Sequence, residues 1–482
     1  MEMLKMERYK ESADRNQMNL LPMSFDDMID VENPVRAIDA IVENMDIPNL
    51  GFKYAKTAAT GRKPYSPVDM FKLYTYSYFN GIRSSRKIER ECGRNIEVMW
   101  LIGGLAPDFK TIADFRKDNK AAIKKAFSRF SMLCDGLGLI GKEMVAVDGS
   151  KFRANNSSDK YCTARKTKKK IEHYEDQAKK YLSLLDANDE QERQNPPPIF
   201  TKKDLQKKLS GIEKRIGELQ DQLSDIEQNG DIALTDPDSK MMLVKNNGRE
   251  VSHNIQVAVE SSNHLIVAVD VTSEAIDREQ LHNISAQAKE ELNVPKLTVI
   301  ADKGYYSAKQ FMLCETDNIF AIAPKPTLQS APNERYAKDK FIYDENSDAY
   351  ICPEGTVLAH VKKRATSKSE EENYTNPSTC KKCAVREQCT KSPYRTIQDP
   401  KYQRFADRVD IRTALNKELF RQRKCLAEHP FGTVKRAFGF TYFLTRGTES
   451  VRAESCLHFL TYNMKRAIRI LGTGKIVAEM QA

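Results

Sequence analysis

No stretch of this sequence reaches about 18 consecutive apolar residues, so it encodes no membrane-spanning helix. Its start, Met1-Glu-Met-Leu-Lys-Met-Glu-Arg8, lacks the apolar segment of a secretory signal. Those two absences point to a cytoplasmic chain with no membrane partner. No tandem repeat of solenoid length is visible. The ten cysteines do not form a disulfide framework. Cys92, Cys134, Cys162, Cys314, Cys425 and Cys456 are scattered singly and read as small buried hydrophobes. What is present is a 482-residue chain, 40% hydrophobic, whose apolar clusters recur along most of its length. That excludes general disorder and is enough for two to four domains. Charged residues reach 30%, and 77 Lys and Arg against 67 Asp and Glu leave a net charge of +10. The excess favours a polyanionic partner.

A polar leader covers residues 1–30. Residues 31–140 read as a helical domain. An amphipathic helix spans Pro34 to Met45, and a second runs from Val68 to Phe79 behind a Ser66 cap and Pro67. Between them, Thr60-Gly-Arg-Lys-Pro-Tyr-Ser-Pro67 reads as a loop. Short helices follow between Ser84 and Gly93 and through Val98 to Leu101. Thr111 is expected to cap a longer helix reaching about Leu137. Short helices joined by glycine turns suit a helix-turn-helix arrangement. Arg83, Arg86, Lys87, Arg90 and Arg94 make its middle basic, either as a DNA-reading surface or as an ordinary solvated face.

Beyond residue 140 the period changes. Met144-Val-Ala-Val-Asp148, Ile255–Glu260, Leu265–Val271, Leu297–Asp302 and Ile319–Ala323 are short, β-branched and bounded by turn signals. Helical stretches lie around 278–292 and 308–316. The order strand, strand, strand, helix, strand, helix, strand predicts an α/β fold with a mixed sheet. This core is expected over residues 141–325 and 406–472, followed by a 473–482 tail.

Two insertions interrupt it. In the first, residues 157–235, Leu205, Leu209, Ile212, Ile216, Leu219, Leu223 and Ile226 alternate spacings of four and three. That is a heptad seam. Ile171 to Leu185 repeats the spacing and Asn195-Pro-Pro-Pro separates the two, so an antiparallel coiled-coil hairpin is expected. An internal arm, a dimer contact and a DNA clamp are all open as its role. The second insertion, 326–405, is poor in apolar clusters, with a polar centre from Lys362 to Asn376. It holds Cys352, Cys380, Cys383 and Cys389. Clustered cysteines without a secretion signal suggest a structural Zn²⁺ site before a disulfide; reduced structural cysteines are the other reading. The chain then becomes helical through Ile411–Ala427 and Val451–Leu471.

Two of the strands end in aspartate, Asp148 and Asp302. Ligands gather at the carboxyl ends of strands in open α/β sheets. Adjacent carboxylates repel unless a cation lies between them, and Mg²⁺ accepts such oxygen ligands. Glu428, at the end of the 411–427 helical run, offers a third carboxylate. Lys435 and Arg436 follow two turns later, and Lys151 and Lys303 adjoin the aspartates. Lys435 and Arg436 could hold a phosphate backbone; Lys151, Lys303 and Arg436 are phosphate contacts by position or plain surface charge. His429 is a candidate base or a helix-end contact. A lone strand-end Asp is also a common turn or cap residue.

The strings Val147-Asp148-Gly-Ser-Lys-Phe-Arg-Ala-Asn155, Ala301-Asp302-Lys-Gly-Tyr-Tyr-Ser307 and Glu428-His-Pro-Phe-Gly-Thr-Val-Lys435-Arg436 resemble those of bacterial insertion-sequence DDE transposases. The nearest branch by these strings is the IS-eleven-eighty-two family of the IS-four-like group. Thr235-Asp-Pro-Asp-Ser239, Asn254–Val259, Thr111–Arg116 and Tyr462-Asn-Met-Lys-Arg466 add to the resemblance, which runs from about residue 30 to 470. It implies a ribonuclease-H-like core and a DNA-binding N-terminal transposase domain. It also implies a metal-binding triad of Asp148, Asp302 and Glu428 loaded with Mg²⁺ or Mn²⁺. The implied partners are double-stranded DNA, as element ends and target, and further copies of the chain on paired ends in a bacterial nucleoid. The implied reaction is hydrolysis at an element end that frees a 3′-hydroxyl, which then attacks target DNA. The group's Tyr-Arg-Glu-Lys signature is incomplete: Arg421 stands in the Tyr place and Lys424 in the Arg place, while Glu428 and Lys435 match. Two other readings share these residues: a metal-dependent nuclease that does not join strands, and an inactive or domesticated DNA-binding relic.

Overall fold

The computed structural model describes residues 23–56, 63–191, 202–244, 248–326, 336–361 and 371–481. The leader up to Pro22, part of the loop at 57–62, the Asn195-Pro-Pro-Pro separator and residues 362–370 lie outside the described residues. Among those described, no helix is long and apolar enough to cross a membrane.

The chain divides into two compact units. The first comprises residues up to Asn119 and returns for Ala467–Ala482. Helix α1 (Pro34–Glu43) starts where the Asn33 side chain accepts from the Val35 amide at 3.0 Å, with Pro34 at the first position. It buries Val35, Ile38, Ile41 and Val42. Helix α2 (Pro67–Phe79) is capped by Ser66 and buried nearly all round. The short α3 (Ser85–Cys92), α4 (Ile96–Leu101) and α5 (Phe109–Asp118) follow. The long helix expected from Thr111 is two helices. Asp108, not Thr111, caps α5, accepting from the Lys110 and Thr111 amides at 2.9 Å each. The chain breaks at Asn119, whose side chain accepts from the Lys53 amide at 2.6 Å instead of continuing the helix face. Helix α6 (Lys120–Gly136) opens the second unit.

The second unit is built on a mixed sheet. Strand β1 (Met144–Arg153) leads to a short pair, β2 (Tyr161–Cys162) with β3 (Ile232–Ala233). Between these two, α7 (Ala164–Gln191) and α8 (Lys202–Asn229) pack on each other. Lys168 pairs with Glu227 at 2.9 Å and Lys208 lies over the Tyr181 ring, so the two helices run antiparallel. Their seam is only partly covered: Ile171, Leu205, Leu219 and Ile226 are buried, whereas Leu209, Ile212, Ile216 and Leu223 are half-buried.

Strands β4 (Lys240–Val244), β5 (Gly248–Glu260) and β6 (Ile266–Thr272) follow, then α9 (Leu281–Leu292), β7 (Leu297–Ile300), α10 (Ala308–Thr316) and β8 (Ile319–Ile322). The sheet order is β4-β5-β1-β7-β8, with β6 also on β5. β1 is antiparallel to β5 and parallel to β7, and β7 is parallel to β8. One face of the sheet buries Val145, Val147 and Val299 under α9 and α10; the other places Met144, Ala146 and Ile300 against Leu426 and Ala427.

The 326–405 region is richer in structure than its composition suggests. Strands β9 (Ile342–Asp344), β10 (Ala349–Ile351), β11 (Val357–Val361), β12 (Glu371–Thr375) and β13 (Thr396–Pro400) form an antiparallel sheet. Alternation supplies its core, because Tyr350, Leu358, Tyr374 and Ile397 each come from a different strand. β12 falls in the stretch expected to be the insertion's polar centre. Two four-residue helices, α11 (Pro377–Cys380) and α12 (Arg386–Cys389), lie between β12 and β13.

The last helices are α13 (Gln403–Leu415), α14 (Lys417–Arg436), α15 (Thr448–Leu471) and α16 (Thr473–Gln481). The expected 411–427 helix is therefore split at Asn416. In the other direction, α14 does not stop at Glu428. It continues through Pro430, whose buried ring sits within the helix although it removes one backbone donor. The expected 473–482 tail is α16, packed on α1 in the first unit.

Candidate active site

The parallel pairing of β1 with β7 fixes the register of two carboxylates. Ala146 pairs with Ile300, and Asp148 and Asp302 each lie two residues further along. Side chains alternate along a strand, so both aspartates project to the face shared by Ala146 and Ile300, the face covered by α14. Asp148 is 19% exposed at its side chain. Burial pushes its carboxyl up to about 7; the Arg423 guanidinium draws it down, and the neighbouring Asp302 raises it again. Asp302 is held at the end of β7 as the cap of a short turn, accepting from the Gly304 amide at 2.7 Å.

Helix α14 supplies the basic side of the site. Arg423 places its Nη1 3.8 Å from Asp148 Oδ1. That nitrogen is buried and, among the described residues, makes no hydrogen bond. The sequence strings do not point to Arg423, since the resemblance draws attention to positions 421 and 424. Helical spacing from the buried Leu426, Ala427, Pro430 and Val434 does find it, because 423 lies on their face. Lys435 Nζ donates to Ser150 Oγ at 2.7 Å and to the Lys151 carbonyl at 2.8 Å, and lies 4.2 Å from the centre of the Phe152 ring. Burial lowers its pKa to about 8, and Asp148 raises it in part. Lys435 thus fastens α14 to β1 in this arrangement.

Glu428 is exposed on α14. Among the described residues, no group of three or more His, Cys, Asp or Glu side chains stands arranged to hold a metal ion. The structure brings Asp148 and Asp302 together and does not seat Glu428 with them. His429 Nδ1 lies 3.2 Å from the Tyr462 hydroxyl, a helix contact. Lys303 and Arg436 are exposed, and Lys151 is half-buried.

On the opposite face a further carboxylate, Asp277, stands under the site. Asp277 Oδ1 accepts from Asn254 Nδ2 and Gln256 Nε2 at 2.7 Å each, and Gln256 Oε1 accepts from the buried Tyr305 hydroxyl. A Cβ at Gly149 would come within 2.6 Å of that Asp277 oxygen and 2.5 Å of the Gln256 amide. The glycine after Asp148 therefore lets this network close beneath the strand. Nothing in the sequence pattern singles out Asp277.

In the first unit, α3 buries Ile88, Glu91 and Cys92 and exposes Arg86, Lys87 and Arg90. Arg94 is tied to Glu91, with its Nε 2.8 Å from the carboxylate.

Residues 23–118 match the family described as Transposase domain (DUF772), and residues 351–468 match the family described as Transposase DDE domain. Both matches are transposase domains. Together they support a DDE-type transposase. The second match covers Glu428 and the four clustered cysteines but neither aspartate. No curated protein matches the chain. Among solved structures the chain is similar to a piggyBac transposase synaptic complex with hairpin DNA, at 8% identity over 93% of this chain and 79% of that one. The TM-score is 0.31.

Proposed function

We propose that this chain is a DNA transposase that cuts at the ends of an insertion sequence and joins the freed 3′-hydroxyl to target DNA. The observation that carries the proposal is the register-fixed pair Asp148 and Asp302, on the face of a mixed sheet that α14 covers, in a chain with two transposase-domain matches. The strand order β6-β5-β1-β7-β8, with only β5 antiparallel to β1, supports the ribonuclease-H-like reading.

The donor set fits divalent metal in part. Two carboxylates on neighbouring strand ends offer hard oxygen ligands suited to Mg²⁺ or Mn²⁺. Such ions, when bound, polarise the attacking and leaving oxygens of an in-line displacement at phosphorus. Asp148 and Asp302 would hold them; Glu428, the third carboxylate of the resemblance, stands exposed on α14. The chain's own residues fix the rest. The β1–β7 register sets the spacing of the aspartates, Lys435 locks α14 to β1, and the Asp277–Gln256–Tyr305 network holds the strand from below. Arg423 balances Asp148 and lies where a phosphate oxygen could be met.

The test is a cleavage and joining assay on DNA carrying the element's own ends with Mg²⁺ or Mn²⁺, comparing the native chain with Asp302→Asn. Metal-dependent nicking and joined products, both lost in the variant, are expected. Nicking without joining means a nuclease. Binding without nicking in either protein means a DNA-binding relic.

A further inference from the structure

The sheet β9–β13 has a thin core. Its buried apolar cluster consists of Phe341, Tyr350, Leu358, Tyr374 and Ile397. Beside it the chain is held in shapes with little support of their own. Helices α11 and α12 have four residues each, far below the length at which a helix is stable alone. Small units with so little to bury commonly need a metal or cross-links.

The four thiols of Cys352, Cys380, Cys383 and Cys389 line one cavity, against Phe341 and Leu358. All are half-buried and none is in a disulfide. Cys352 leaves β10 in a tight turn. The Gly355 amide donates to the Cys352 carbonyl at 2.8 Å with φ of +80°, a conformation that favours glycine. The Thr356 amide then donates to Cys352 Sγ at 3.2 Å. A backbone N–H aimed at sulfur stabilises thiolate over thiol. Cys380 ends α11, and the Cys383 amide returns to the Cys380 carbonyl at 3.3 Å, so two thiols three residues apart leave one turn on the same side. Cys389 ends α12, and Arg395 donates to its carbonyl at 3.3 Å, bringing positive charge to a group of potential thiolates. Four sulfurs from three separate turns on one cavity are the donor set of a closed tetrahedral site.

We propose that this cavity is a structural zinc site with Cys352, Cys380, Cys383 and Cys389 as its ligands. The thiols converge without standing at ligand distance from a common point, so zinc binding draws them inward by side-chain rotation and clamps α11 and α12 to the sheet. Ligation converts thiols to thiolates with proton release. A site with four protein ligands leaves no position open for substrate, so its contribution is to folding.

The experiment is elemental analysis of the full chain purified without chelator, followed by Co²⁺ exchange and absorption spectroscopy. About one zinc per chain and a tetrahedral thiolate–cobalt spectrum are expected. Cys380→Ser and Cys389→Ser should each lose most of the metal, while Cys425→Ser, an exposed thiol outside the cavity, should retain it. Absence of zinc in the native chain together with failure to take up Co²⁺ would overturn the proposal, as would disulfides among these four cysteines in freshly purified protein. The native chain is read directly, so a variant that fails to fold leaves the test intact. Metal content is independent of the aspartates: Asp302→Asn should keep its zinc even where DNA cleavage is absent.

Discussion

A carboxyl group set into a largely buried strand end, with a second carboxylate beside it, makes the folded protein hold a proton that the unfolded chain has released. Asp148 is that group, with its pKa pushed up to about 7 from an ordinary 3.8. Between those values the folded state binds more protons than the unfolded state, so stability falls as pH rises. The contribution is fully present below the ordinary value and gone by about pH 7. In metal-free protein the unfolding free energy from urea titrations should therefore drop between about pH 4 and pH 7 by a component that Asp148→Asn lacks, on the order of a few kcal/mol. Arg423→Gln removes the nearby cation and should extend the falling limb to higher pH. Identical pH profiles for the native chain and Asp148→Asn would mean the carboxyl is not buried as described.

At the scale of elements, α3 separates two readings of the same basic string. Its apolar side is buried, and Arg86, Lys87 and Arg90 share the exposed side. If that side tracks a phosphate backbone, replacing all three by Ala should weaken duplex DNA binding. It should also lower the slope of log affinity against log salt by roughly 0.9 for each phosphate no longer neutralised. An ordinary solvated face would leave both unchanged. Titrations at several salt concentrations decide between them. The elements also show what periodicity can deliver. The strands around Asp148 and Asp302 are legible in the sequence because β-branched runs with turn signals at both ends leave few alternatives. The carboxylates' shared face is not, because it depends on the β1–β7 register. Helix ends depart from expectation where a side chain overrules the pattern. Asp108 takes the cap from Thr111, Asn119 breaks one expected helix into two, and α14 continues through Pro430. β12 escapes the pattern because one buried tyrosine, Tyr374, anchors an otherwise polar strand. Asp277 escapes it for a different reason: its partners, Asn254 and Gln256, belong to β5, and no periodicity of its own turn points to them.

For the whole molecule, the sequence order of domains misses one long-range closure. The N-terminal unit is completed by the C-terminus, since residues 467–482 fold with residues up to 119. Helix α16 packs on α1, its Ile476 is fully buried, and the Gly474 amide meets Glu32 at 3.4 Å. A reading along the chain has no access to such a contact, because the ten final residues carry too little apolar patterning to announce a partner more than four hundred positions away. The consequence is measurable in the full chain. Ile476→Ala empties a buried aliphatic site and should destabilise this unit by about 2–5 kcal/mol. The loss should appear as faster amide exchange across α1, whose Val35, Ile38 and Val42 are buried. Exchange in β1 and β7 should change little, since they belong to a separate compact unit that opens on its own. Equal acceleration in both units would mean they unfold as one cooperative body, and no change in α1 would mean the C-terminal helix does not close the unit in solution.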